Sequence, residues 1–170
     1  MKGDVAVLLI ISQIIGIGAV VLYLLSYQLK KRNHIVWVTC ISNALYVLQY
    51  LLLGAFSGAI MDFMSTVSSF LAAKKNEAHF KKYARLLAAS NMIIIAVVGL
   101  ISAWMQGEWI EVLAVAGALL QTGGLWCDNE QTIRKFGLCS APFWLVYNFV
   151  SQAYGAALGS AIAIISVIIH

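Results

Sequence analysis

The chain is 170 residues long, 62% hydrophobic and only 11% charged, with a mean hydropathy of +0.88. Soluble domains carry about 25% charged residues, so a soluble fold is excluded and an all-α, polytopic membrane protein is expected. The net charge of +4 sits in short clusters flanking apolar runs, as membrane topology requires, and this argues against a nucleic-acid partner.

A helix needs about 20 residues to cross the hydrocarbon, and seven crossings are predicted. The first, Val5–Tyr27, lacks a basic leader beyond Lys2 and is followed by further apolar runs, so no cleaved signal peptide is expected. The second, Ile35–Leu53, and the third, Ser57–Ala73, are joined by little more than "GAFSG" and must be antiparallel neighbours. The polar stretch "KKNEAHFKKYAR" leads to the fourth, Leu86–Trp104. The fifth is Trp109–Trp126, and the loop "CDNEQTIRK" precedes the sixth, Phe136–Tyr154. The last, Gly155–Ile169, is linked through "YGAALG"; it is short, and the natural helix is expected to continue past His170. Pro142 lies in the sixth span and should kink it.

Direction follows from lysine and arginine. Lys30, Lys31, Arg32, Lys74, Lys75, Lys81, Lys82, Arg85, Arg134 and Lys135 all fall on one side of a seven-span chain, which should be the cytoplasm. The N-terminus is then outside and the C-terminus inside. Cys40, Cys127 and Cys139 are too few and scattered for a disulfide framework and are read as reduced thiols.

Sliding the chain over itself by 101 residues pairs Gly16 with Gly117, Tyr46 with Tyr147, Gly54 with Gly155, Gly58 with Gly159 and Ser65 with Ser166. Residues 1–73 therefore form a first three-helix unit, 74–108 a basic loop and linker helix, and 109–170 a second three-helix unit. Three helices plus one linker put both units in the same orientation, a parallel 3+1+3 repeat.

This organisation resembles the superfamily of SWEET, semi-SWEET and PQ-loop proteins, which includes the PnuC-type vitamin transporters. The stretches "IGIGAVVLYLLSYQLKKRN", "ISNALYVLQYLLLGAFSGAIMD" and "WLVYNFVSQAYGAALGS" resemble more closely the bacterial inner-membrane family Imp-YgjV, over nearly the whole chain. The resemblance implies a site between the two units, contacted by aromatic and asparagine side chains. The Pro-Gln dipeptide of PQ-loop proteins is absent: the sole proline, Pro142, has Ile41 opposite it.

Asp62 lies inside the third span. Gly58, Asp62, Ser65, Thr66 and Ser69 share one helical face, and an aspartate at mid-membrane costs about 2.5–3.5 kcal/mol on insertion scales. That face should turn inward, so that Asp62 either lines a solute path or bonds to neighbouring helices. At the 101-residue shift its counterpart is Ala163, which makes it an asymmetric feature. Asn43 and Tyr46, and Trp144, Tyr147 and Asn148, present aromatic plates beside amides, a pairing suited to sugars, nucleosides or vitamins. Their alternative role is to bridge helices. Asp62, Asn43, Tyr46, Trp144, Tyr147 and Asn148 are thus the candidate solute-binding residues.

The reading is a carrier or facilitator of a small polar solute, with the lipid bilayer as its other partner; a homo-oligomer is compatible with it. The alternative is a non-transporting receptor, scaffold or lipid-binding protein. No metal set, activated nucleophile or histidine–carboxylate pair lies in the spans, so neither an enzyme nor a cofactor is expected.

Overall fold

The computed structural model describes the backbone of residues 2–168 and the side chains of 7–165. The expected end of the last span at Ile169, the continuation past His170, and the Lys2 and Ser166 side chains lie outside the described residues. The fold is all-helical there: α1 (Lys2–Gln28), α2 (Arg32–Leu53), α3 (Phe56–Lys74), the single turn α4 (Ala78–Lys81), α5 (Ala84–Gln106), α6 (Glu111–Leu125), α7 (Glu130–Val150) and α8 (Tyr154–Ile168).

Four of the expected crossings, α1, α2, α3 and α5, are long and apolar enough to span a membrane. Helices α6 and α8 are apolar but only 15 residues each, or about 22 Å at 1.5 Å per residue. Helix α7 is long enough, but Glu130, Arg134 and Lys135 occupy its first two turns. The bundle's exterior is apolar: Ile14, Ile17, Phe63, Leu86, Ile93, Trp104 and Phe149 are all more than half exposed. Such a surface belongs in lipid, where no hydrophobic force drives it inward.

The helix ends follow from local chemistry. Gly54 and Gly107, both at φ 72°, terminate α2 and α5 in the left-handed region that suits glycine. Asn129 caps α7, its side chain accepting from the backbone N–H groups of Gln131 and Thr132. Helix α7 continues through Pro142, as membrane helices tolerate.

The turn between α7 and α8 differs from expectation. It is Ser151–Ala153, not "YGAALG", which lies inside α8. Gln152 takes a left-handed φ of 59°. The Gln13 side chain from α1 holds this turn, donating to the Gln152 carbonyl and accepting from the Gly155 N–H, both at 3.0 Å. Gly155 serves close approach instead: a Cβ there would lie 3.2 Å from Ile17 N and 3.3 Å from Gln13 O.

Helices α1, α2 and α3 pack in sequence, as do α6, α7 and α8; the two groups meet through α1 against α8 and α3 against α6, and α5 lies on α3 and α6. Exchanging α1 with α6 and α3 with α8 maps each intergroup contact onto the other. The starts of α2 and α7 (32 and 130) and of α3 and α8 (56 and 154) each lie 98 residues apart. The left-handed turn residues Gly54 and Gln152 are 98 apart as well. The 101-residue register is therefore corrected by three residues. A slip of nearly one helical turn keeps every residue on roughly the same face, so apolar periodicity alone does not distinguish the two registers.

One packing detail lends itself to test. Gln49 is fully buried against Gly16, and neither its side-chain nitrogen nor its oxygen has a hydrogen-bond partner. An apolar replacement of similar shape removes that desolvation penalty. Gln49→Met should leave the thermal unfolding midpoint in detergent unchanged or raise it; a marked drop would mean that the amide makes a bond in the membrane.

Candidate functional site

Two small cavities lie between the helix groups, stacked along the bundle. The central one, about 20 Å³, is lined by Tyr23, Tyr46, Tyr50, Asp62, Gln121, Ala141, Trp144, Asn148 and Ser160. At the corrected register these residues pair: Tyr23 with Gln121, Tyr46 with Trp144, Tyr50 with Asn148, and Asp62 with Ser160. Each pair is 98 residues apart, so equivalent positions of the two groups face one another across a common centre.

The neighbouring cavity, also about 20 Å³, shares Tyr23 and Gln121 with the first and lies toward the end that carries the basic clusters. Tyr27 and Leu125, Ile35 and Ile133, and Thr39 and Gly137 line it, again at a spacing of 98. At the opposite end a vestibule of about 300 Å³ is bounded by Gly54, Glu108, Glu111, Tyr147, Ser151 and Gln152 among others. A cavity needs about 10–15 Å³ to hold one water, so each internal cavity admits about one.

Of the six residues proposed from sequence, Asp62, Tyr46, Trp144 and Asn148 converge on the central cavity. Asn43 and Tyr147 do not line it. Asn43 is fully buried; its Oδ1 accepts from Gln121 Nε2 at 3.0 Å, and its Nδ2 lies 3.5 Å from Ser69 Oγ. It bridges α2 to α6 and to α3. Tyr147 faces the vestibule, and its hydroxyl accepts from the Gly58 N–H at 2.7 Å, an otherwise orphaned donor in the first turn of α3.

Tyr23, Tyr50, Gln121 and Ser160 also line the cavity and are not among the candidates from sequence; the 98-residue register is the signal that gathers them. The inward face of α3 forms as expected for Gly58, Asp62, Ser65 and Ser69, all buried. Thr66 is half-buried and returns its hydroxyl to the Asp62 carbonyl at 2.7 Å. Ser65 accepts from Thr122 at 3.1 Å, tying α3 to α6.

The aromatic walls are rigidly packed. Tyr50 stacks between Tyr46 (6.3 Å) and Trp144 (6.4 Å), while Tyr147 meets Tyr50 and Trp144 edge-on at 5.9 and 6.0 Å. The Tyr50 hydroxyl donates to Asn148 Oδ1, joining the two middle helices. Trp144 fits over Gly117, where an added Cβ would lie 2.9 Å from the indole nitrogen. On the other side of the cavity the Tyr23 and Tyr27 hydroxyls are 2.6 Å apart.

The basic end does more than mark topology. Arg32 is buried and donates to three carbonyls: Cys127 at 2.9 Å, Leu125 at 2.8 Å and Ala72 at 3.1 Å. Arg134 reciprocates across the groups, donating to Leu29 O at 2.8 Å; Leu29 and Cys127 are again 98 apart. Lys75 reaches Trp126 O at 2.5 Å and Asp128 at 2.7 Å. Its hydrogen bond and charge hold the Asp128 carboxyl below the usual range.

The sequence profile of a family of bacterial inner membrane proteins, Imp-YgjV, matches residues 10–170. The chain belongs to the Imp-YgjV family. No curated protein matches it significantly, and neither does any solved structure. Family membership and the apolar helices together make this Imp-YgjV protein a bacterial inner membrane protein. Among the described residues of this Imp-YgjV chain, no group of three histidine, cysteine or carboxylate side chains is placed to hold a metal ion.

Proposed function

We propose that this Imp-YgjV protein is a transporter or facilitator of a small polar solute. Its path would run from the vestibule through the central cavity to the basic end. Seven crossings would build it as two parallel three-helix units, residues 1–73 and 109–170, joined through residues 74–108. The N-terminus would lie outside and the basic end in the cytoplasm. The solute would be sugar-, nucleoside- or vitamin-like, and no chemistry on it is proposed. The observation that supports this reading is the central cavity itself, with an intramembrane aspartate and walls of residues paired 98 apart. Intramembrane ionisable groups are costly and tend to mark solute or ion pathways.

On this reading the Tyr50–Asn148 bond and the Tyr23–Tyr27 pair would act as the barriers on the two sides of the cavity. Passage would then require the Tyr50–Asn148 bond between the units to break on one side, and Tyr23 of α1 to leave the Gly137 carbonyl of α7 on the other. Proteoliposomes test this. Volume recovery after shock with a permeant polar solute should be faster than in empty vesicles. Asp62→Asn should change the rate or its pH dependence, with expression unchanged. Wild-type rates in that variant would remove Asp62 from the mechanism.

A second reading, a non-transporting scaffold or receptor on the same fold, is favoured by the filled interface: Asn43, Gln121, Tyr50 and Asn148 use their polar groups to bridge helices. On that reading no solute enters from either side.

A further inference from the structure

We propose that the solute carries a primary ammonium group, seated on Asp62 within the ring of Tyr23, Tyr46, Tyr50 and Trp144. The proposal rests on reading the central cavity as a solute site, and it narrows the solute to a class.

Charge is the first argument. Asp62 is 3% exposed and, among the described residues, is the only charged one on the cavity wall. Among the described residues its carboxylate has neither a hydrogen bond nor an ion pair; the Thr66 hydroxyl bonds to its backbone carbonyl instead. Glu111, also buried and with an unpartnered Oε2, lies at the wider vestibule, whereas the buried basic groups are paired. Arg32 has three carbonyl acceptors, and Lys75 has a carbonyl and Asp128. A buried carboxylate without a counter-charge is costly, and a cation arriving in the cavity supplies what the protein omits.

The walls give the second argument. Four of the nine lining residues are tyrosine or tryptophan, whose ring faces attract cations electrostatically. Acceptors complete the set. Gln121 gives its N–H to Asn43, which leaves its carbonyl oxygen without a donor among the described residues. Ser160 contributes a hydroxyl beside it. An ammonium head has three donors, and Asp62, Gln121 and Ser160 offer three acceptors.

Size is the third argument. About 20 Å³ is room for one water-sized group, and an –NH₃⁺ head has that size. A quaternary ammonium does not fit without further opening.

The test uses purified full-length protein in detergent, followed by thermal unfolding and tryptophan fluorescence. The probes are n-propylammonium chloride, its neutral isostere propan-1-ol, tetramethylammonium chloride and sodium chloride at matched ionic strength. Propylammonium should give a saturable shift, with half-saturation about tenfold or more below that of tetramethylammonium. Propan-1-ol and sodium chloride should give none. Asp62→Asn should weaken the propylammonium response by about tenfold or more.

No saturable response to propylammonium in the wild type, or an undiminished one in Asp62→Asn, overturns the proposal. The comparison between propylammonium and propan-1-ol needs no variant, so it decides even where Asp62→Asn fails to fold. A saturable response to ribose with none to propylammonium overturns the ammonium inference and leaves the solute site standing. Saturable propylammonium binding without passage in proteoliposomes upholds the ammonium site and rejects transport.

Discussion

Arg32→Ala is expected to lower stability by about 3 kcal/mol, measured as a drop in the unfolding midpoint in detergent or in SDS titration. Arg32 sits at the first turn of α2 and reaches the last carbonyls of α3 and α6. Helix C-termini leave such carbonyls short of donors, Ala72 having besides Arg32 only a long 3.4 Å bond from the Lys75 N–H, and a cation there also complements the helix dipole. Hydrogen bonds from a charged donor contribute about 1.5–3 kcal/mol each, not additively. Removing the guanidinium leaves Ala72, Leu125 and Cys127 carbonyls short of a donor at a junction of both helix groups. Arg32→Lys should recover only part of the loss, because an ammonium cannot reproduce the planar fork. An Arg32→Ala midpoint equal to wild type would show that the basic end is a solvated topology signal and nothing more.

Trp144→Ala is expected to produce the other large effect, a loss of about 3–5 kcal/mol. The side chain is 6% exposed and fills the space over Gly117. In lipid, helix association depends on packing rather than on escape from water, so a hole here forfeits contacts that nothing else supplies. The stacked contact with Tyr50 and the edge contact with Tyr147 are lost together. The same change enlarges the central cavity, so proteoliposomes carrying this variant should pass small polar solutes less selectively. Trp144→Phe keeps a ring in the slot and should restore much of the midpoint. If Trp144→Ala unfolds at the wild-type temperature, the aromatic wall is not the structural centre described above.

How much of this was legible in the sequence varies with the physics involved. Helix positions were readable because apolar runs long enough to cross lipid have few alternatives. The ends of α2, α3 and α5 came within a few residues of the expected spans. The α7–α8 turn differs from expectation because "YGAALG" offers two glycines, and glycine serves at close helix contacts as well as at turns. Nothing local marks Gln152 for its left-handed conformation; the bond from Gln13, 139 residues away, stabilises it. The repeat register slipped for a related reason: Gly54 and Gly155 are identical residues with different roles, one ending a helix and one admitting the backbone of α1.

The site residues divide along the same line. Asp62 stood out because a carboxylate in a greasy run is conspicuous by itself. Tyr23 and Tyr50 did not, since tyrosines in membrane helices are common and only the fold brings these two to Asp62. Asn43 looked equivalent to Asn148 in sequence. The two differ because Gln121 reaches Asn43 first, while Asn148 receives Tyr50. The buried roles of Arg32 and Lys75 were hidden because topology alone accounts for basic residues at those positions.

The central claim is that the space between the two helix groups is a path open in turn to each side of the membrane. Ser160 lies on that space, buried, opposite Asp62. The direct measurement is thiol labelling of Ser160→Cys in membranes, with Cys40, Cys127 and Cys139 replaced by serine and a membrane-impermeant methanethiosulfonate cation applied from one face at a time. The account predicts labelling from each face, slowed by propylammonium. Labelling from neither face would contradict it and leave a sealed interface between the helix groups.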